Sequence, residues 1–226
     1  TDSSLVKLLP KIYSNISGAL TGENQFEKAI IYSKKALQFT NYPDEQRYRI
    51  ILHQSIADAY VNLKQLAAAK PYLDTAVLLT GKFNNGIIKL LMFSTEGNYY
   101  DQAREYKKAL AAYHMAYQYA DSNNNTYLKA EAADNLAAIY YKQKNYSEAT
   151  LYATEANRIA LSVNHIKVAA STFNTLKNTA EAKGEYKAAL QYAGQYKIYA
   201  DSATNEATQK TSLSLESKYQ SQKKEK

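Results

Sequence analysis

Five hexapeptides decide the reading: NQFEKA at 24–29, KQLAAA at 64–69, REYKKA at 104–109, KNYSEA at 144–149 and GEYKAA at 184–189. Each ends in alanine, each has Phe, Leu or Tyr three residues before that alanine, and successive copies lie forty residues apart. A phrase repeated at fixed period marks an array of one supersecondary unit and outranks local propensity. Seven residues beyond the alanines stand Ala36, Ala76, Ala116, Ala156 and Tyr196, and three beyond stand Tyr32, Tyr72, Ala112, Tyr152 and Tyr192. Residues three, four and seven apart share a helix face, so each hexapeptide opens a helix with a small, close-packing stripe. Twelve residues before the alanines come Ser17, Ala57, Gly97, Ala137 and Lys177; nine before come Leu20, Tyr60, Tyr100, Tyr140 and Ala180. These columns trace a second helix. Its face is completed by Ile16, Ile56, Glu96, Leu136 and Leu176 thirteen before, and by Tyr13, His53, Phe93, Ala133 and Phe173 sixteen before.

Small residues where two helices cross, with an aromatic just ahead of the second small column, resemble the tetratricopeptide repeat. The resemblance covers about residues 10–201 and implies an all-α fold: a right-handed superhelical solenoid of about five helix-turn-helix repeats. These fall at about 10–40, 44–80, 84–121, 126–162 and 165–201, followed by a polar C-terminal helix over 202–226. The period exceeds the family's usual thirty-four by six, which predicts longer helices or longer links. Repeat five departs most, with Lys177, Ala180 and Tyr196 in columns that are otherwise small, Tyr and Ala, as befits a terminal repeat.

A solenoid has no upper size, because each repeat touches only its neighbours, so 226 residues read as one repeat domain. Seven Gly and three Pro leave the helices uninterrupted, and twenty-two Tyr supply packing rings whose hydroxyls reach the rim. The start carries Leu5, Val6, Leu8 and Leu9, an apolar patch expected to pack on the first repeat, and Pro10 suits a first helical turn. Asn41-Tyr42-Pro43-Asp44 reads as a turn, Gly81 to Gly86 as the clearest break, and 121–125 as a capping run. Pro71 falls inside the second helix of repeat two.

Zero cysteines exclude disulfides, thiolate chemistry and zinc-thiolate sites. The formal charge of +7 does not point to nucleic acid, because lysines are interleaved with acids and only four Arg occur. His53, His114 and His165 lack the helical spacing of a zinc site, and there is no phosphate loop or nucleophile elbow. The reading is therefore a non-enzyme without cofactor or metal.

From Asp201 the chain turns polar and ends LSLESKYQSQKKEK, with Leu213, Leu215 and Tyr219 its large apolar residues. A weakly held helix is expected there. Repeats followed by such a segment resemble the extracytoplasmic region of bacterial membrane-bound sensors, histidine kinases of two-component systems or membrane-bound transcriptional regulators. That resemblance implies a periplasmic module whose membrane span and output domain lie outside residues 1–226, and a homodimer through the C-terminal helix is one arrangement it allows. The alternative is a cytoplasmic scaffold that mediates protein–protein interaction.

By the repeat resemblance, the first helices line a concave face, and three columns point into it. They supply the candidate ligand-binding residues Gln54, Asp58, Asn62, Ser94, Asn98, Gln102, Asp134, Lys142, Asn174 and Asn178. Side-chain amides pair with both the N–H and the C=O of an extended peptide, and the two aspartates favour a basic or amino-terminal group. The expected partner is a peptide or protein.

Overall fold

The computed structural model describes residues 8–40, 46–81 and 85–224, with side chains as far as residue 205. Among them are ten helices and no strand. The chain divides into two compact units, Thr1–Asn125 and Thr126–Lys226. The first holds α1 (Leu9–Gly22), α2 (Phe26–Leu37), α3 (Gln46–Asn62), α4 (Leu66–Gly81), α5 (Gly86–Gln102) and α6 (Tyr106–Ser122). The second holds α7 (Thr126–Lys142), α8 (Tyr146–Ser162), α9 (Ile166–Ala182) and α10 (Tyr186–Lys224). Each unit is a stack of antiparallel helix pairs, the all-α repeat architecture that the alanine register predicts.

The register is set at the helix crossings. Ala29, Ala69, Ala109, Ala149 and Ala189 are all buried, as are Ala36, Ala76, Ala116 and Ala156 one turn-pair further on. Facing them, Ser17, Ala57, Gly97 and Ala137 are buried too. In repeat one the crossing is polar but satisfied: Ser17 Oγ donates to the Ala29 carbonyl at 3.0 Å and sits 2.6 Å from Ser33 Oγ. Repeat five replaces the small pair with Lys177 and Tyr196, whose ammonium and ring meet at 5.8 Å. The far end of the odd repeats is closed by a stacked aromatic pair, Tyr13–Phe39, Phe93–Tyr119 and Phe173–Tyr199.

The helix ends obey a second, shorter period. Asn24, Lys64, Arg104, Asn124, Lys144, Asn164 and Gly184 have positive φ, and from Arg104 onward they recur every twenty residues. At each, the left-handed residue's amide bonds three residues back and the next amide bonds five back, at 2.8–2.9 Å for the longer reach. This is the Schellman closure, which satisfies carbonyls that a helix end otherwise leaves orphaned. The helices α5 to α9 are each 17 residues long, so the excess over thirty-four has gone into helix length.

The next position in that register is Thr204, and there no turn forms. A β-branched residue is poorly suited to the left-handed region, and Thr204 Oγ1 instead donates to the Ala200 carbonyl at 3.0 Å. Consequently α10 runs unbroken for 39 residues, where repeat five and a separate C-terminal helix were expected. Of the apolar patch expected to pack on the first repeat, Leu8 is 50% exposed and Leu9 is half-buried. Pro10 does occupy the first turn of α1, and Pro71 lies inside α4. Leu5, Val6, the turn at 41–44, positions 82–84 of the Gly81–Gly86 break and the side chains of Leu213, Leu215 and Tyr219 lie outside the described residues.

Candidate functional site

In unit 1 the predicted strip bonds to itself. Gln54 on α3 donates its amide to Thr95 Oγ1 on α5 at 2.7 Å. Asn98 is engaged at both ends, accepting from Tyr113 Oη at 2.7 Å and donating to Asp58 Oδ1 at 3.4 Å. Asn62 donates to the Asp58 carbonyl one turn back at 2.9 Å and reaches its carboxylate at 3.4 Å. Ser94 donates to the Leu90 carbonyl, and Gln102 is exposed at the end of α5. Burial raises the Asp58 carboxyl above its ordinary range, and the Asn98 amide works against that rise. Asp58, Asn98 and Tyr113 thus form a polar bridge between α3, α5 and α6. A ligand's backbone would have to displace these bonds before using the same atoms.

Unit 2 is different. Asn174 and Asn178, one turn apart on α9, are half-buried and make no side-chain hydrogen bond among the described residues. Asp134 lies on α7. Burial pushes its carboxyl up to about 7, against the opposing pull of the Ser171 hydrogen bond and the nearby His165. Its Oδ1 is buried and lacks a partner among the described residues. Lys142 is exposed at the end of α7.

Beside Asp134 stands a group that the repeat columns missed. His165, the residue just before α9, is 6% exposed, with Nε2 3.1 Å from Glu131 Oε1 and its ring stacked 3.8 Å from Tyr127. Tyr127 and Glu131 are four apart on one face of α7, a spacing visible in the sequence, but neither falls in a column tied to the alanines. His53 packs as expected for an aromatic column, 6.0 Å from the Tyr72 ring, with Nδ1 2.7 Å from the Arg49 carbonyl and its pKa lowered by burial. Burial also lowers His114. Among the described residues no group of His, Asp and Glu could hold a metal ion. No described helix is long and apolar enough to cross a membrane. A shallow, open hollow lies apart from the strip, lined by Gly184, Glu185, Tyr186, Lys187, Ala188 and Gln191 at the start of α10.

Residues 52–83 match the family model described as tetratricopeptide repeat. No relative among curated proteins matches the chain. Among solved structures, BtubC (BKLC) from P. vanneervenii is similar at a TM-score of 0.72 and 16% identity, over 90% of this chain and 84% of that one. A signal transduction ATPase with numerous domains and a tetratricopeptide repeat sensor, from Pyrococcus horikoshii, is similar at 0.73 and 21%, over 84% of this chain but 29% of its own. Aspartyl phosphate phosphatase F from Bacillus subtilis is similar at 0.72 and 17%, over 90% of this chain and 54% of its own. At these identities the likeness is one of fold, and the fold is of the tetratricopeptide-repeat kind.

Proposed function

We propose, proceeding from a tetratricopeptide-type repeat fold, that the chain is a non-catalytic recognition module that binds a peptide or protein segment carrying a basic or amino-terminal group. The observation that carries this reading is the contrast between the units. In unit 1 the amides of Gln54, Asn62 and Asn98 are already bonded within the unit, whereas unit 2 offers Asn174 and Asn178 with unused donors and acceptors. Asp134 adds the acidic component, with an oxygen lacking a donor. A ligand cation reaching Asp134 would favour its ionised form and displace its proton, so binding and deprotonation are coupled.

The finer reading is that this module senses on behalf of a bacterial membrane-bound signalling protein, on the periplasmic side. Two things support it: α10 leaves the repeat register and continues as a single helix to Lys224, and a protein of the same fold is described as carrying a tetratricopeptide repeat sensor. A ligand held on the repeat pairs would bias α10, which carries the bias onward.

The test uses a degenerate octapeptide library with free amino termini, bound to the immobilised 226-residue chain, and calorimetry on the peptides retained. The double change of Asn174 and Asn178 to Ala is expected to weaken binding roughly tenfold, since two lost bonds of about 0.5–1.5 kcal/mol each span that factor. Asn98→Ala should instead lower stability and leave affinity within about twofold, because its amide is spent inside unit 1. Unchanged affinity in the folded double variant removes this face from consideration. Fractionation of cells expressing the whole gene separates the membrane reading from a cytoplasmic scaffold.

A further inference from the structure

Among the described residues, the first and the last helix pair each leave an apolar face uncovered, where the outer face of a capping repeat is ordinarily polar. At the start of α1 and along it, Leu8, the residue just before the helix, Ile12 and Ile16 succeed one another every four residues and are 50%, 47% and 36% exposed. Forty residues on, Leu52 and Ile56 are fully buried; on α5 Ile88 and Met92 are buried, and on α9 Val168, Thr172 and Leu176. Those later residues are covered by the second helix of the repeat before. The first repeat has none before it among the described residues.

The last repeat shows the converse. Leu190 is 77% exposed and Tyr186 73% exposed on α10. Their counterparts in repeat one are Ile30, which is buried, and Phe26, which is half-buried, both packed on α3 against Ile56 and Ala59. What covers that face in repeat one is the first helix of the following repeat. After repeat five the chain supplies no such helix within the described residues, because α10 passes straight through Thr204 without turning back.

The internal contacts prescribe how the two faces meet. Ile30 packs on Ile56, Ala76 packs near Met92, and Ala160 packs on Val168. Carried to the two ends by the forty-residue register, these pairs become Leu190 on Ile16, Tyr196 on Ile12 and Ala200 on Leu8. Tyr196 gains a reason. It is the large residue in an otherwise all-alanine column, and it is 36% exposed beside the seat that such a helix would fill.

We propose that the chain associates head to tail, the α1 face of one copy seating on the Tyr186–Leu190–Tyr196 face of α10 in a second copy, as one more repeat interface. The occupant is a second copy because its α1 carries the residue pattern that already fills this kind of seat within each unit. The contact uses two different surfaces, so it is heterologous and propagates unless it closes into a ring.

Sedimentation velocity on the 226-residue chain over a hundredfold concentration range tests this. The expected result is association that passes beyond the dimer as concentration rises. Leu190→Glu and Ile16→Glu, both at exposed positions and each checked for unchanged helicity, should each be monomeric. Mixed in equal amounts they should form a 1:1 heterodimer and stop, because one intact α10 face then meets one intact α1 face. Three results overturn the proposal: a wild-type chain that stays monomeric throughout, as it would if Leu5 and Val6 cover α1; an Ile16→Glu chain that still dimerises, as in a symmetric pairing through α10; or a mixture that fails to pair.

Discussion

At the scale of single residues, the crossing of each helix pair tolerates one size of side chain at a time. Repeat three has Gly97 where repeat two has Ala57, and it has Tyr113 where repeat two has Leu73. The two differences compensate, since a Cβ on Gly97 would stand 2.3 Å from a Tyr113 ring carbon. Gly97→Ala should therefore cost about 1–3 kcal/mol by overpacking. Adding Tyr113→Leu, which recreates the pair of repeat two, should recover most of that loss despite removing the bond to Asn98; denaturant titrations of the single and double variants check the coupling. A second residue-level effect is electrostatic. The Asp134 carboxyl titrates at about 7 in the folded chain and near 4 when unfolded. The folded state thus holds a proton that the unfolded state releases, and stability from this group is complete below about 4 and lost as pH rises through 7. Asp134→Asn should flatten that fall, which is on the order of 4 kcal/mol. A wild-type and variant pair with parallel stability–pH curves would show that the carboxyl is not held protonated.

At the scale of the element, helix length is decided by what stands at the left-handed position. Lysine or arginine fills it within repeats two, three and four, asparagine within repeat one and in the links before repeats four and five, and glycine within repeat five. Non-glycine residues carry a steric penalty there. Lys144→Gly should accordingly stabilise unit 2 by roughly 0.5–1 kcal/mol, and Gly184→Ala should destabilise it by at least as much, read as shifts in thermal midpoint. This position also shows why the fold was legible and its ending was not. The alanine columns announce the crossings because burial forces one residue type in every copy. The turn column accepts Asn, Lys, Arg and Gly alike, since none of them is β-branched and the closing hydrogen bonds are made by the backbone, so its twenty-residue period is faint in the sequence. Thr204 is informative only once that period is known. The candidate strip was legible in the same partial way: spacing located Asn98, Asn174 and Asn178, but spacing cannot say that Tyr113 and Asp58 have already claimed the first.

At the scale of the whole molecule, each unit carries its own buried core: Ile30, Ile56 and Ala59 with Ala57, Leu73 and Met92 in the first, Ala137, Phe173 and Leu176 with Ala160 and Val168 in the second. Repeat arrays are stabilised by sums of repeat terms and nearest-neighbour interfaces, so a long array need not unfold as one. Damage confined to one core should then be read out in that unit first. Ala109, fully buried at the α5–α6 crossing, supplies the sharpest probe. Glutamate there both overpacks the crossing and buries a charge with no partner, at a cost of about 3 kcal/mol or more. In urea, hydrogen exchange followed by mass spectrometry should show α1 to α6 losing protection at lower denaturant in Ala109→Glu, with α8 and α9 holding close to their original midpoint. Gly184→Ala should do the reverse, weakening unit 2 and sparing unit 1. If either substitution moves every helix together by the same amount, the chain unfolds as one cooperative block and the division at Asn125 has no energetic meaning.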